Sequence, residues 1–361
     1  MMNANIAKSP WVISRSQDLL WLQGSVVAGL LLLLAFLALP KLGQGNYGAL
    51  NPAVWLLLFW GVIFDGSHVM ATYASTYFAA DEPSRAALPG HGSFAWLLLG
   101  PLMAVLDYFL CTPQPSVVGH AGLLFGLFLG FAYLWAYYHL VRQHYGFLAL
   151  YRRKEGLVPS LTAPDALFLW AGTAYPFMRF NLTEAYKTSG LPVLLPDAWL
   201  APLRLSLDAV AIFFLMGIMF FWLLRVIRKQ AKPGPRHLFL LIVVAFSNLA
   251  FALLDNLLAI TAVLTIFHNL QYHRIVWQYE RGQQRVPMGS LLWYAAACIG
   301  FGLLWYGPRV MGVALAGSDL IRNVLVGLGW GVAFHHYYID ARIWRVRRQP
   351  VVAAALDRGA A

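Results

Sequence analysis

Apolar runs of about 20 residues recur along the whole chain, and each is long enough to cross about 30 Å of hydrocarbon as a helix. Between the runs sit breakers and charge, at Asn51-Pro52, Asp81-Glu82-Pro83, Pro113-Gln114-Pro115, Pro159, Lys232-Pro233-Gly234-Pro235 and Gly307-Pro308. The runs are continuously apolar rather than alternating at period two, which selects helices over a β-barrel. The expected fold is therefore all-α: a polytopic transmembrane helix bundle of about ten spans, with residues 1–361 forming a single integral membrane domain. The spans are expected at roughly 19–40, 53–79, 92–111, 119–150, 164–181, 203–227, 238–254, 256–279, 289–307 and 318–344.

Composition supports this and removes other classes. With 60% hydrophobic and 11% charged residues, the chain is too apolar for a soluble domain of 361 residues. A formal net charge of +11 would suit a nucleic-acid binder, but its distribution has a topological explanation. One set of alternate loops carries Lys8, Arg15, Arg85, Arg152, Arg153, Lys154, Arg225, Arg228, Lys229, Lys232, Arg236, Arg274, Arg281, Arg285, Arg342, Arg345, Arg347, Arg348 and Arg358. The other set holds only Lys41, Arg179, Lys187, Arg204, Arg309 and Arg322. Cytoplasmic loops carry the excess of Lys and Arg, so a ratio of roughly three to one places both termini in the cytoplasm. A bacterial inner membrane is the expected location, and nucleic acid is not an expected partner. The first run, Leu19 to Pro40, is too long for a signal-peptide core and is read as the first span. Cys111 and Cys298 both lie at or inside apolar runs, which points to packing rather than to a disulfide framework.

Four of the spans carry ionisable cargo, which is costly in hydrocarbon and usually faces the bundle interior. They read Asp65-Gly66-Ser67-His68, His139-Leu140-Val141-Arg142-Gln143-His144, His268-Asn269-Leu270-Gln271-Tyr272-His273 and His335-His336-Tyr337-Tyr338-Ile339-Asp340. These are the second, fourth, eighth and tenth spans, so all four run in the same direction and can share one depth. At about 1.5 Å per residue, His139 lies about 20 Å before Arg152 and His335 about 18 Å before Arg347. His268 stands similarly before Glu280, and His68 before Asp81, which puts the cluster in the cytoplasmic half.

Neutral imidazole is the commonest metal ligand, and His68, His139, His144, His268, His273, His335 and His336 exceed what one zinc ion takes. Two transition-metal ions are the expected cofactors. Residues five apart are about 140° apart around a helix and about 7.5 Å apart along it, so the two histidines of an H-x4-H pair serve different ions more readily than one. Asp340 shares a face with His336, and Asp65 with His68, so either carboxylate can ligate a metal or fix its histidine's tautomer. Arg142, Gln143, Asn269 and Gln271 are expected beside the ligands as hydrogen-bonding or charge partners. Of Tyr137, Tyr138, Tyr145, Tyr272, Tyr337 and Tyr338, at least half are expected in an interfacial aromatic belt. A lone histidine in a span is often only a hydrogen-bonded interior residue; seven on four same-direction spans shift the balance to a metal site.

The H-x4-H pairs and the adjacent histidines resemble the histidine boxes of membrane di-iron enzymes, the fatty-acid desaturases, hydroxylases and alkane monooxygenases. His139/His144 and His268/His273 look like the first box type, and His335/His336 match the double histidine that ends the others. No complete H-x2-3-H-H box occurs, and Asp65 and His68 have no counterpart in those boxes. The resemblance implies two iron ions that activate oxygen against unactivated C–H bonds. On it the expected function is a membrane metalloenzyme, di-iron, that hydroxylates, desaturates or cleaves a lipid or other apolar small molecule, with an electron-donor protein as partner. One alternative keeps the site but uses zinc, as an intramembrane lipid hydrolase. Another is a haem-binding electron carrier or a proton-coupled transporter.

Overall fold

The computed structural model describes residues 9–39, 52–77, 90–112, 114–116, 119–193, 195–228, 233–283, 290–344 and 350–358. Lys8, Lys41, Arg85, Lys229, Lys232, Arg285, Arg345, Arg347 and Arg348 of the charge count lie outside the described residues, as do Asp81-Glu82-Pro83 and Pro113.

Helices dominate in chain order: α1 (Arg15–Ala38), α2 (Pro52–Ala74), α3 (Ala95–Leu110), α4 (Leu123–Lys154), α5 (Pro164–Phe180) and the short α6 (Glu184–Lys187). They are followed by α7 (Asp197–Ile227), α8 (Pro235–Leu253), α9 (Leu257–Gly282), α10 (Leu291–Leu315), α11 (Asp319–Ile343) and α12 (Pro350–Arg358). The strands among the described residues are β1 (Gln114–Ser116) and β2 (Gly119–Ala121), an antiparallel ribbon that leads into α4.

Among the described residues seven helices are long and apolar enough to cross a membrane: α1, α2, α3 with its leading turn, α4, α7, α8 and the Leu291–Val310 part of α10. Helices also form at the remaining three expected spans, as α5, α9 and α11, but these differ in kind. α5 is 17 residues long, short of the about 20 that a span needs. α9 and α11 are long enough but carry the histidines and their polar neighbours, and protein rather than lipid surrounds much of them. α9 buries residues all along its length, whereas α7 buries only Leu200. The contrast is what a polar central helix and an apolar peripheral one require.

Helix starts follow local chemistry. The Asn256 side chain accepts from the backbone N–H groups of Leu258 and Ala259 to open α9, and Ser318 accepts from Ile321 N–H to open α11. α4 begins at Gly122, which has no side chain to cap it. Buried Asp107 of α3 serves instead, accepting from Gly122 N–H at 2.6 Å and Phe125 N–H at 2.9 Å.

Glycines let the backbones of the histidine-bearing helices approach their neighbours. A Cβ on Gly100 of α3 would lie 2.0 Å from the Gly327 carbonyl oxygen of α11, and one on Gly302 of α10 would lie 2.0 Å from that of Val62 in α2. Such contacts suit membrane helices, whose association comes from close packing rather than from the hydrophobic effect. The Gly61–Gly66 stretch of α2 is π-helical, a local widening often found at functional sites, and it ends two residues before His68.

At one end of the molecule α12 docks on α9. Val352, Ala355 and Leu356 are buried there, Gln278 donates to the Leu356 carbonyl at 3.1 Å, and Arg358 donates to that of Gly282 at 2.9 Å. Asp357 pairs with Arg153 and with Lys154 at 2.8 Å, which ties α12 to α4 as well.

Candidate metal centre

Three helices bring four side chains to one point. His68 of α2, His139 of α4, and His336 and Asp340 of α11 each offer a ligand atom, and these atoms all lie within 4.8 Å of one another. The His68 and His336 rings meet edge to face with centroids 4.5 Å apart, and those of His139 and His336 are 5.3 Å apart. Asp340 Oδ2 stands 3.5 Å from His336 Nε2 and 3.9 Å from His139 Nε2.

Hydrogen bonds hold the carboxylate in this orientation. Asp340 Oδ1 accepts from Thr72 at 2.9 Å and from Tyr272 at 2.7 Å, while Oδ2 accepts from the Gln143 amide at 2.6 Å. The same amide nitrogen lies 2.7 Å from His139 Nε2. Tyr337 stacks on the His139 ring at 4.0 Å and limits its rotation.

α9 sets a further histidine beside this group. His268 is 2% exposed, and its ring lies 4.9 Å from that of His68 and 6.5 Å from that of His139. Among the described residues neither ring nitrogen of His268 has a hydrogen-bond partner, nor has Nδ1 of His68 or of His336. Each buried polar atom left this way costs about 1–3 kcal/mol. A cation among these nitrogens would satisfy several at once, so the donor set fits a metal ion. Nitrogen and oxygen donors without a thiolate suit iron, zinc, copper or manganese.

The other histidines and Asp65 have different neighbourhoods. His144 is buried against Phe267 and Phe239, with its ring 5.9 Å from that of His268. His273 places Nε2 3.0 Å from the Ser67 hydroxyl and Nδ1 2.8 Å from that of Tyr294. His335 bonds the hydroxyls of Tyr73 (3.0 Å), Tyr77 (3.2 Å) and Ser93 (3.3 Å), and stacks on Phe94. Asp65 accepts from Tyr306, whose ring lies under the Arg309 guanidinium.

The flanking polar residues divide similarly. Gln143 touches the ligands, whereas Arg142 is exposed and stacks over Tyr145 at 5.4 Å. Asn269 is 1% exposed, and Gln271 donates to the Leu22 carbonyl of α1 at 2.5 Å.

Thr72 was not among the residues singled out from sequence, although it lies four residues after His68 and so shares its face. Tyr272 belongs to the interior rather than to an aromatic belt, being 3% exposed and bonded to Asp340. Tyr138, by contrast, is exposed and stacks on Trp170.

These features define a helical membrane protein with a buried histidine–aspartate group able to hold a metal ion. No protein-family model, curated protein or solved structure matches the chain.

Proposed function

We propose that the chain is an integral membrane metalloenzyme that oxidises a lipid or other apolar small molecule, by hydroxylation, desaturation or oxidative cleavage. The observation that supports this is the convergence of His68, His139, His336 and Asp340 inside the protein, with unpartnered imidazole nitrogens around them. Four donors complete a zinc site. Histidine and carboxylate ligands also suit non-haem iron, and His268 stands next to the group with its ring 4.9 Å from that of His68.

Iron held there would supply oxygen activation against a C–H bond. The chain's own residues bind the ion, pin Asp340 through Thr72, Tyr272 and Gln143, and keep bulk water from a site whose His336 is 1% exposed. A second iron, which the seven histidines imply, would draw on His268 and His144, whose rings lie 5.9 Å apart. Turnover then requires an electron-donor protein. We place both termini in the cytoplasm of a bacterium, with α5, α9 and α11 crossing its inner membrane inside the more apolar spans; accessibility of single cysteines at each terminus in sealed vesicles tests this.

Metal analysis of the detergent-purified chain after reconstitution with iron tests the main proposal. Stoichiometric iron is expected, lost in His68→Ala and Asp340→Asn; a wild-type chain that takes up no transition metal defeats it. A zinc-dependent lipid hydrolase is the second reading, favoured by the three-histidine, one-carboxylate grouping taken by itself. Zinc bound in preference to iron, with no near-ultraviolet absorption after oxidation, would select it.

A further inference from the structure

We infer that the cleft between α4 and α11 seats one anionic phospholipid of the adjoining leaflet, with its phosphate on Arg142 and one acyl chain lying over His139. The inference takes from the proposed function only its setting in a membrane, and the binding it describes needs no metal.

Of the four grouped donors, His139 is the one that reaches the surface. Its side chain is 11% exposed, whereas those of Asp340 and His336 are 3% and 2% exposed and His68 is buried. Helical geometry shows where this opening leads. Arg142 and Gly146 follow His139 by three and seven residues, so all three share one face of α4; Ala341 follows Tyr337 by four on α11. Arg142, Gly146 and Ala341 are exposed, and a Cβ on Gly146 would meet no described residue within 4 Å. Both helices are therefore uncovered just beyond the His139–Tyr337 stack, toward the end where α4 carries Arg152, Arg153 and Lys154. On the other side of the stack rings close the space. Trp135, one turn before His139, lies 4.6 Å from Phe334 and 5.9 Å from Tyr337.

The chemistry along this face changes as it does along a lipid. About 20 helical residues cross the hydrocarbon, and 20 counted from Leu123 end at Arg142. A guanidinium at that level meets head groups, while Trp135 and Tyr337 meet acyl chains. Helical side chains lean toward the helix N-terminus, so Arg142 reaches back over the turn that carries His139. Among the described residues no carboxylate pairs with Arg142, which stands over the Tyr145 ring at 5.4 Å. Arg342 of α11 lies over Tyr338 at 3.9 Å. The two arginines fall about 4.5 and 7.5 Å beyond the level of the stack, close to one depth. Two cations there complement a phosphodiester, which a guanidinium can grip with two parallel hydrogen bonds. A zwitterionic head group would bring a cation of its own to the same place.

The test titrates full-length, detergent-purified protein with dioleoyl phosphatidylglycerol or dioleoyl phosphatidylcholine, without added metal, and reads retained lipid by native mass spectrometry. One phosphatidylglycerol is expected to bind about tenfold tighter than phosphatidylcholine. Arg142→Gln should lower that affinity about tenfold, the loss of one charge-assisted pair, and Arg142→Lys should restore part of it. Gly146→Leu changes no charge but fills the cleft, and should weaken binding comparably; Gly217→Leu on α7 should not. An arginine that only snorkels to the interface would be indifferent to Gly146→Leu, so wild-type affinity in that variant overturns the seated lipid. Equal retention of the two lipids overturns it too, and so does displacement of phosphatidylglycerol by an equal concentration of oleate, which would assign Arg142 to a free fatty acid. In the wild-type chain, phosphatidylglycerol with a diazirine in one acyl chain should label residues 131–139 or 334–341. Labelling confined to other helices overturns the site whatever the variants do. A chain that binds this lipid yet takes up no transition metal keeps the site and loses the proposed enzyme.

Discussion

His335 and His336 are consecutive, yet their rings belong to different clusters: His336 Nε2 lies 3.5 Å from Asp340 Oδ2, while His335 is engaged by Tyr73, Tyr77 and Ser93. Consecutive helical residues point about 100° apart, so two adjacent histidines reach one ion with difficulty. His336→Ala should lower metal occupancy more than tenfold at limiting metal. His335→Ala should leave it near the wild-type value, as equilibrium dialysis followed by metal analysis would show. Equal losses in the two variants would remove the distinction.

Thr72 holds Asp340 without being placed to ligate a metal itself. Partners that orient a ligand typically contribute about 10–100-fold to metal affinity. Thr72→Val is expected to weaken binding about tenfold while Thr72→Ser keeps most of it; competition against a chelating dye measures both.

α11 and α3 meet where a Cβ on Gly327 would lie 2.5 Å from the Gly100 carbonyl carbon. Backbone cannot move aside as a flexible side chain can. Gly327→Leu should lower stability by at least the about 1–3 kcal/mol typical of overpacking, and it should displace His336 and Asp340 with α11. A lower melting temperature in detergent together with lost metal is expected; Gly217→Leu on the exposed α7, with open space around its Cβ position, is the control.

Acid should release α12. Burial pushes the Asp357 carboxyl up, but hydrogen bonds and charge from Lys154 and Arg153 outweigh it and hold the group below the ordinary carboxylate value. A group depressed in the folded state contributes stability that is present above its unfolded value, about 3.9. That contribution is lost as pH falls through the folded value. Hydrogen exchange in residues 350–358 should therefore quicken at acid pH, and also in high salt, because the pair is partly exposed. In Asp357→Asn exchange should be fast at neutral pH and lose most of its acid dependence.

Much of the candidate centre was legible in the sequence, for a definite reason. A histidine in a long apolar run is costly unless it has a task or a partner, so His68, His139, His268 and His336 stand out before any coordinates are known. The i, i+4 spacing of His336 and Asp340 likewise identifies a shared face. The same signal could not separate these histidines from His144, His273 and His335. Those three rings are equally anomalous in hydrocarbon, and what distinguishes them is partners from distant parts of the chain. His273 meets Tyr294 of α10, His335 meets Tyr73 and Ser93, and His144 meets Phe239 of α8. The helices were legible as well, whereas their surroundings were not: α9 and α7 are both long helices, but only packing shows that one is enclosed by protein and the other faces outward.

The amino-acid order by itself determined a predominantly helical chain with apolar spans, because a backbone in hydrocarbon must satisfy its own hydrogen bonds within each segment. It also determined which helices carry imidazole and carboxylate. Only the tertiary structure decided which donors meet and what steadies them: Asp340 is held by Thr72, Tyr272 and Gln143 from three other helices. Helical periodicity sets the face on which a side chain stands. The neighbour opposite that face is set by where other helices pack, and no local pattern encodes that.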